Sequence, residues 1–133
     1  MSSQSPAPPK KRVPDRRRSG LWAENEAERW LRGRGFEILD RNWRYGRREL
    51  DIVALDVSTV VFVEVKARSW GPQSPLEAVS SRQRAGLRIA AESWIHSHPG
   101  VGEEFRFDVI GVELSGVHRG RIAHVRDAFT GER

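Results

Sequence analysis

The chain of 133 residues has no cysteine, which excludes disulfide staples and thiolate zinc sites. It lacks any apolar run near the ~20 residues that a membrane-spanning helix requires. It also lacks an apolar core behind Met1 of the kind that marks a secretory signal. A soluble, cytoplasmic protein that does not bind membranes is expected. The four histidines, His96, His98, His118 and His124, show none of the close spacing of zinc ligands and read as surface residues. There is no internal repeat, and the length suits one modest hydrophobic core. Most of the chain also lacks excess charge. The net charge of +5 arises within residues 1–18, where Lys10, Lys11, Arg12, Arg16, Arg17 and Arg18 face only Asp15, and the remainder balances. The same segment holds Pro6, Pro8, Pro9 and Pro14. Residues 1–18 therefore read as a disordered basic tail and 19–133 as one domain. Such an arm either holds nucleic-acid phosphates non-specifically or merely solubilises the chain.

What is present is a pair of apolar strands that carry charges at one end. Residues 49–56 (ELDIVALD) and 59–67 (TVVFVEVKA) flank a short turn around Val57 and Ser58, as a hairpin. A symmetric turn pairs Leu55 with Val60, Val53 with Phe62, Asp51 with Glu64, and Glu49 with Lys66. Period-2 alternation then puts Leu50, Ile52, Ala54, Val61, Val63 and Val65 on one face. The other face carries Leu55, Val53, Val60 and Phe62 near the turn, and Asp51, Glu64, Glu49 and Lys66 at the far end. Like charges directly opposite on a sheet repel, so Asp51 beside Glu64 points to a cation between them. Hard cations such as Mg²⁺ or Mn²⁺ favour such oxygen donors. A cation there polarises a phosphoryl oxygen and activates water, and Lys66 on the same face orients that water or stabilises developing negative charge. The plainer alternative is a Glu49–Lys66 ion pair, with Asp51 and Glu64 at a wet sheet end.

Around this hairpin the pattern predicts a helix over 20–34, with Ala23, Ala27, Trp30 and Leu31 as its buried stripe and Gly33 and Gly35 as its stop. Glu24 flanks that stripe. It is either a site carboxylate or an ordinary first-turn acid favoured by the helix dipole. A strand is expected from Phe36 to Arg41. Residues 41–48 (RNWRYGRR) form the densest basic patch, where Arg41, Arg44, Arg47 and Arg48 interleave with Trp43 and Tyr45. Such a patch grips phosphates and stacks on bases, or is a solvated turn with Trp43 in the core. Arg68 and Trp70 extend it beyond Lys66.

Ser74-Pro75-Leu76-Glu77 reads as a capping box opening the second helix, with a break at Val79 and a second cap at Ser80. Leu87, Ala90, Ala91 and Trp94 form its buried stripe. Gln83 continues that stripe, as a site residue or as a helix-end amide bonded to backbone. Arg82, Arg84 and Arg88 form a basic flank. Strands are expected over 105–114, where Asp108 holds an arginine or caps backbone groups, and over 121–126. The fold class is α/β, a mixed sheet of four or five strands flanked by two helices.

The chain resembles the YraN-like family of small bacterial proteins, which is similar to archaeal-type Holliday-junction resolvases and restriction-endonuclease-like nucleases. The segments that carry the resemblance are AENEAERWL (23–31), RGFEILDRNWR (34–44), RELDIVALD (48–56), VFVEVKAR (61–68), AVSSRQRAGLRIAAESW (78–94) and RFDVIGV (106–112). It implies a restriction-endonuclease-like mixed sheet and a nuclease core at Asp51, Glu64 and Lys66, with Glu24 as the acidic residue of the first helix. Three positions depart from the family pattern. Arg48 stands where Gly precedes the strand Glu, Ala23 where Gly precedes the helix Glu, and Arg82 where Lys precedes Gln83.

These readings converge on a Mg²⁺- or Mn²⁺-dependent endonuclease acting on DNA, branched or damaged. Asp51, Glu64 and Glu24 are its metal ligands, Lys66 and Gln83 assist, and Arg41, Arg44, Arg47, Arg48, Arg68 and Arg82 contact nucleic acid. By analogy with resolvases it works as a homodimer. The alternatives are a non-catalytic nucleic-acid-binding module on the same fold, or an interaction protein whose charged strand ends are structural.

Overall fold

A computed structural model describes residues 16–69 and 73–131. Helix α1 (Arg16–Gly33) is followed by strands β1 (Glu37–Tyr45), β2 (Arg48–Asp56) and β3 (Thr59–Arg68). A 3-10 turn (Pro75–Ala78), helix α2 (Ser81–Ser97), β4 (Glu104–Glu113) and β5 (Ile122–Phe129) complete the chain. The five strands form one sheet in sequence order. β1, β2 and β3 make an antiparallel meander, β3 and β4 run parallel, and β5 returns antiparallel. The parallel step needs a crossover, and α2 supplies it.

The helices cover opposite faces of the sheet. Ala23, Ala27 and Leu31 of α1 pack on Ile52, Ala54, Val61, Val63, Ile110 and Val112. Leu87, Ala90, Ala91 and Trp94 of α2 pack on Leu50, Val53, Val60, Phe62, Phe107 and Val109. This is the mixed α/β sheet between helices that the resemblance implied. No helix among the described residues is long and apolar enough to cross a membrane.

Local chemistry explains most boundaries. α1 starts at Arg16, earlier than position 20, so Arg16–Arg18 belong to the helix, while residues 1–15 of the expected tail lie outside the described residues. Its end is a Schellman motif. Phe36 N–H donates to Leu31 O and Gly35 N–H to Arg32 O, each at 3.0 Å, with Gly35 at φ 88° and Phe36 buried against α1's cluster. Ser74 and Ser80 both act as caps, but they serve different elements, and among the described bonds only Ser80 belongs to a reciprocal box. Ser74 Oγ accepts from Leu76 N–H at 3.3 Å and starts only the 3-10 turn. Ser80 and Gln83 make the reciprocal capping box of α2, at 3.1 Å each way.

Two strands are longer than their patterns suggested. β5 runs on to Phe129, whose ring stacks on Phe107 at 4.7 Å. β1 continues through the basic patch to Tyr45, pairing Trp43 with Leu50, Arg44 with Glu49 and Tyr45 with Arg48. Only Gly46 and Arg47 form the turn, so the patch is half strand. The apolar body of Trp43, packed against α2's cluster, outweighs the local charge density.

The histidine expectation needs correction at His124. Its Nδ1 accepts from Trp30 Nε1 at 3.2 Å, so Nε2 carries the proton given to Asp108 Oδ2 at 2.8 Å. Asp108 is fully buried and also accepts from Arg106 Nε at 2.9 Å and Asp127 N–H at 2.9 Å. It therefore both holds an arginine and caps backbone. Burial alone would raise its pKa, but the hydrogen bonds from His124, Arg106 and Asp127 N–H outweigh that and hold it below the usual carboxylate range.

Candidate metal and phosphate site

The hairpin register holds from Asp56–Thr59 through Leu55–Val60 and Val53–Phe62 to Ile52–Val63, and there the described pairing stops. Asp51 does not pair with Glu64 through backbone. Instead its Oδ2 accepts Val65 N–H at 2.8 Å, so a carboxylate takes the place of a ladder carbonyl and the strands part. The alternation of faces also breaks here. Ile52 packs under α1 but Leu50 under α2, so Leu50 is not on the Ile52–Ala54 face that strict alternation assigns it.

β1 breaks at the matching place. Arg41, paired with Ile52, ion-pairs with α1, whereas Trp43, paired with Leu50, packs toward α2. Between them Asn42 stands opposite Asp51 in left-handed backbone, φ 51°. Residues two apart on a regular strand share a face, so both strands change face at Asn42 and Asp51. Neither a period count nor a motif reveals this paired irregularity.

The break gathers the acids from two elements. One carboxylate oxygen from each of Glu24 on α1, Glu49 and Asp51 lies within 4.8 Å of the others. Asn42 Nδ2 donates to Glu24 Oε1 at 2.8 Å and to Glu49 Oε1 at 2.7 Å. Asp51 also stands against Glu64, which lines, with Glu49, Asp51, Gln83, Arg47 and Arg48, a cleft of about 340 Å³ beside Gly86 and Leu87 of α2. Burial first, and then the adjacent Glu64 charge, push the Asp51 carboxyl well above the ordinary carboxylate range. A proton on Asp51 and a cation are thus alternative ways to neutralise the pair. The donors are all oxygens, which suits a hard divalent cation rather than a soft one.

The remaining expected residues divide. Lys66 Nζ lies 3.4 Å from Glu64 Oε2, and Glu49 pairs with Arg44 at 3.4 Å. The Glu49–Lys66 ion pair therefore does not form, because the parted strands carry the two groups to different partners. Gln83 follows the helix-end reading, its Oε1 accepting Ser80 N–H, and the residue also lines the cleft.

Arg47 and Arg48 border the cleft, with the Arg48 side chain laid along Gly86. Arg82 is exposed at the start of α2, and Arg68 is exposed at the end of β3. Trp70 lies outside the described residues. Arg41 departs from its expected role. Its guanidinium donates to Glu28 at 2.9 Å, Asn25 at 3.1 Å and Glu24 at 3.3 Å, so it fastens β1 to α1 rather than facing a phosphate. Arg84 and Arg88 are likewise turned away, donating to Val79 O and Thr130 O. Sequence reasoning passed over Asn42, and it placed Glu49 on the charged face with Asp51, Glu64 and Lys66 without making it a ligand. The adjacency of Glu49 to Asp51 was a signal for the second, but nothing marked the first.

The profile of a family described as uncharacterised protein family UPF0102 matches residues 23–112. A UPF0102 protein of Nocardia farcinica is 40% identical over 119 residues, covering 89% of this chain and 94% of that one. One of Beutenbergia cavernae is 42% identical over 110 residues, covering 80% and 92%. Another, of Chlorobium chlorochromatii, is 40% identical over 116 residues, covering 83% and 89%. Among solved structures, Pyrococcus furiosus SfsA in complex with Ca²⁺ aligns over 84% of this chain and 64% of that one, at 16% identity and TM-score 0.38.

Proposed function

The chain belongs to the uncharacterised protein family UPF0102, and we propose that its acidic cleft binds Mg²⁺ or Mn²⁺ and hydrolyses phosphodiester bonds of DNA. The observation that carries this reading is the meeting of Glu24, Glu49, Asp51 and Glu64 with Arg47 and Arg48 at one break in the sheet. Glu24, Glu49 and Glu64 pair with Arg41, Arg44 and Lys66, but Asp51, set against Glu64, has no cationic partner among the described residues, and that buried excess of negative charge beside an open, arginine-bordered cleft suits a bound cation and a phosphate.

In this reading Asp51, Glu64 and Glu24 hold the cation, with Glu49 joining them. When bound, the cation polarises a phosphoryl oxygen and makes water a stronger nucleophile. Lys66, held against Glu64, presents a compact positive charge to the growing negative charge of the transition state. Gln83, rigid because its oxygen is spent on the α2 cap, keeps its amide nitrogen for the attacking water or a phosphate oxygen. Arg47 and Arg48, with Arg44, Arg68 and Arg82 farther out, supply phosphate contacts on approach. Arg41 acts indirectly, by holding Glu24.

The test is cleavage of linear, single-stranded, flapped and four-way-junction DNA with Mg²⁺ or Mn²⁺, comparing wild type with Asp51→Asn and Glu64→Ala. Cation-dependent cutting that both substitutions abolish is expected. Cutting by Asp51→Asn at the wild-type rate sinks the proposal. Equal, salt-sensitive binding by all three proteins without cutting indicates a binding module instead.

A further inference from the structure

We propose that Asn42 is a positioning residue of this site. Its side-chain amide fixes Glu24 of α1 and Glu49 of β2 in the arrangement that receives the cation. This rests on the cation-binding reading above and goes beyond it, because Asn42 belongs neither to the acidic set nor to the basic patch.

Three observations converge. First, the amide nitrogen has only two N–H bonds, and both are used on carboxylates from different elements, at 2.8 and 2.7 Å. The two N–H bonds of a planar amide diverge, and with both spent, Glu24 and Glu49 each keep an oxygen within 4.8 Å of the other and of Asp51. That spacing leaves the two carboxylates facing a common space instead of turning to solvent. Second, the backbone at Asn42 is left-handed, φ 51°. Most side chains resist this conformation, and Asn is among the few that accept it. It occurs where β1 changes face, opposite the change of face at Asp51. A regular residue here would direct its side chain to one face with its neighbours' alternation and could not bridge Glu24 to Glu49. Third, the bridge is neutral. Glu24 and Glu49 each already meet one arginine, Arg41 at 3.3 Å and Arg44 at 3.4 Å, and a lysine or arginine between them would add a further positive charge where a cation must enter. Asn42 orders the two carboxylates without adding one. Hydrogen-bond partners that orient metal-holding groups are worth about 10- to 100-fold in metal affinity.

The test uses the full chain and Mn²⁺ alone, with binding read by calorimetry and unfolding followed in EDTA. Asn42→Gly keeps the left-handed backbone and deletes the amide. Asn42→Asp keeps a residue that tolerates the conformation but replaces both donors with a third negative neighbour. Expected are a cation-free unfolding temperature close to wild type for Asn42→Gly and a lower one for Asn42→Asp, whose new charge meets Glu24 and Glu49, with Mn²⁺ binding weakened about tenfold or more in both variants. The Asn42→Asp result separates positioning from charge counting, which predicts tighter binding from the added carboxylate. Affinity within about twofold of wild type for Asn42→Gly, tighter binding by Asn42→Asp, or unfolding of both variants in EDTA overturns the role of Asn42 while leaving the cation site standing. Absence of Mn²⁺ binding by wild type removes the cation-binding reading itself, and this inference with it.

Discussion

Asp108→Asn tests the one fully buried charged side chain among the described residues. Asp108 is 0% exposed and accepts from Arg106, His124 and the Asp127 N–H. The substitution preserves size but removes the charge and turns one acceptor into a donor that faces other donors. Breaking a buried, hydrogen-bonded pair from one side costs about 3–5 kcal/mol. Arg106 keeps a second partner in Asp56, at 3.3 Å, and its side chain is 17% exposed, so the low end applies, about 3 kcal/mol. With an unfolding entropy of roughly 2.1 cal/mol/K per residue, that is a fall in Tm of about 12 °C for a domain of this size. Urea and thermal unfolding read the change directly. The pH dependence adds a sign. The folded pKa of Asp108 is depressed, so its contribution is complete above the unfolded carboxylate value of about 4 and is lost as pH falls through the lower folded value. The gap between wild type and variant should therefore close at strongly acidic pH. A loss below about 1 kcal/mol at neutral pH, or a gap that widens on acidification, refutes the argument.

Two further outcomes follow from the same physics. Val57, 90% exposed and at φ 58°, is a β-branched residue in the hairpin position that favours glycine. Val57→Gly should stabilise the protein by about 1 kcal/mol in urea unfolding, the left-handed penalty less the entropy of glycine, and a destabilised variant contradicts this. For Asp51, whose folded pKa is raised, stability is fully present below the ordinary carboxylate value and is lost as pH rises through the raised one. In EDTA, Asp51→Asn should therefore unfold at a higher temperature than wild type at pH 8 and near the wild-type temperature at pH 3. Wild-type Mn²⁺ affinity should climb across the same rise, and equal stability of the two proteins at pH 8 contradicts the reading.

The sequence by itself determined the elements and most of their faces. Ala23, Ala27 and Leu31 recur at helical spacing, Val60 to Val63 read as a strand buried on both faces, and Ser80 with Gln83 spells a cap within four residues. These signals are local, because helix and strand periods are properties of the backbone and need no distant partner. The hairpin register was legible as far as Ile52–Val63 for the same reason. Beyond it, only the tertiary structure decided. Asp51 takes the Val65 N–H, Asn42 adopts left-handed backbone opposite it, and two strands change face together. As a result Glu49 leaves Lys66 for Asn42 and Arg44, and Arg41 turns from a presumed phosphate ligand into a clamp on Glu24. The bonds Arg41–Glu24, Asn42–Glu24 and Asp51–Val65, on which these changes hang, join groups 14 to 18 positions apart. A side chain's choice among backbone, carboxylate and cation follows from which of these the packed sheet and helix place within hydrogen-bond reach.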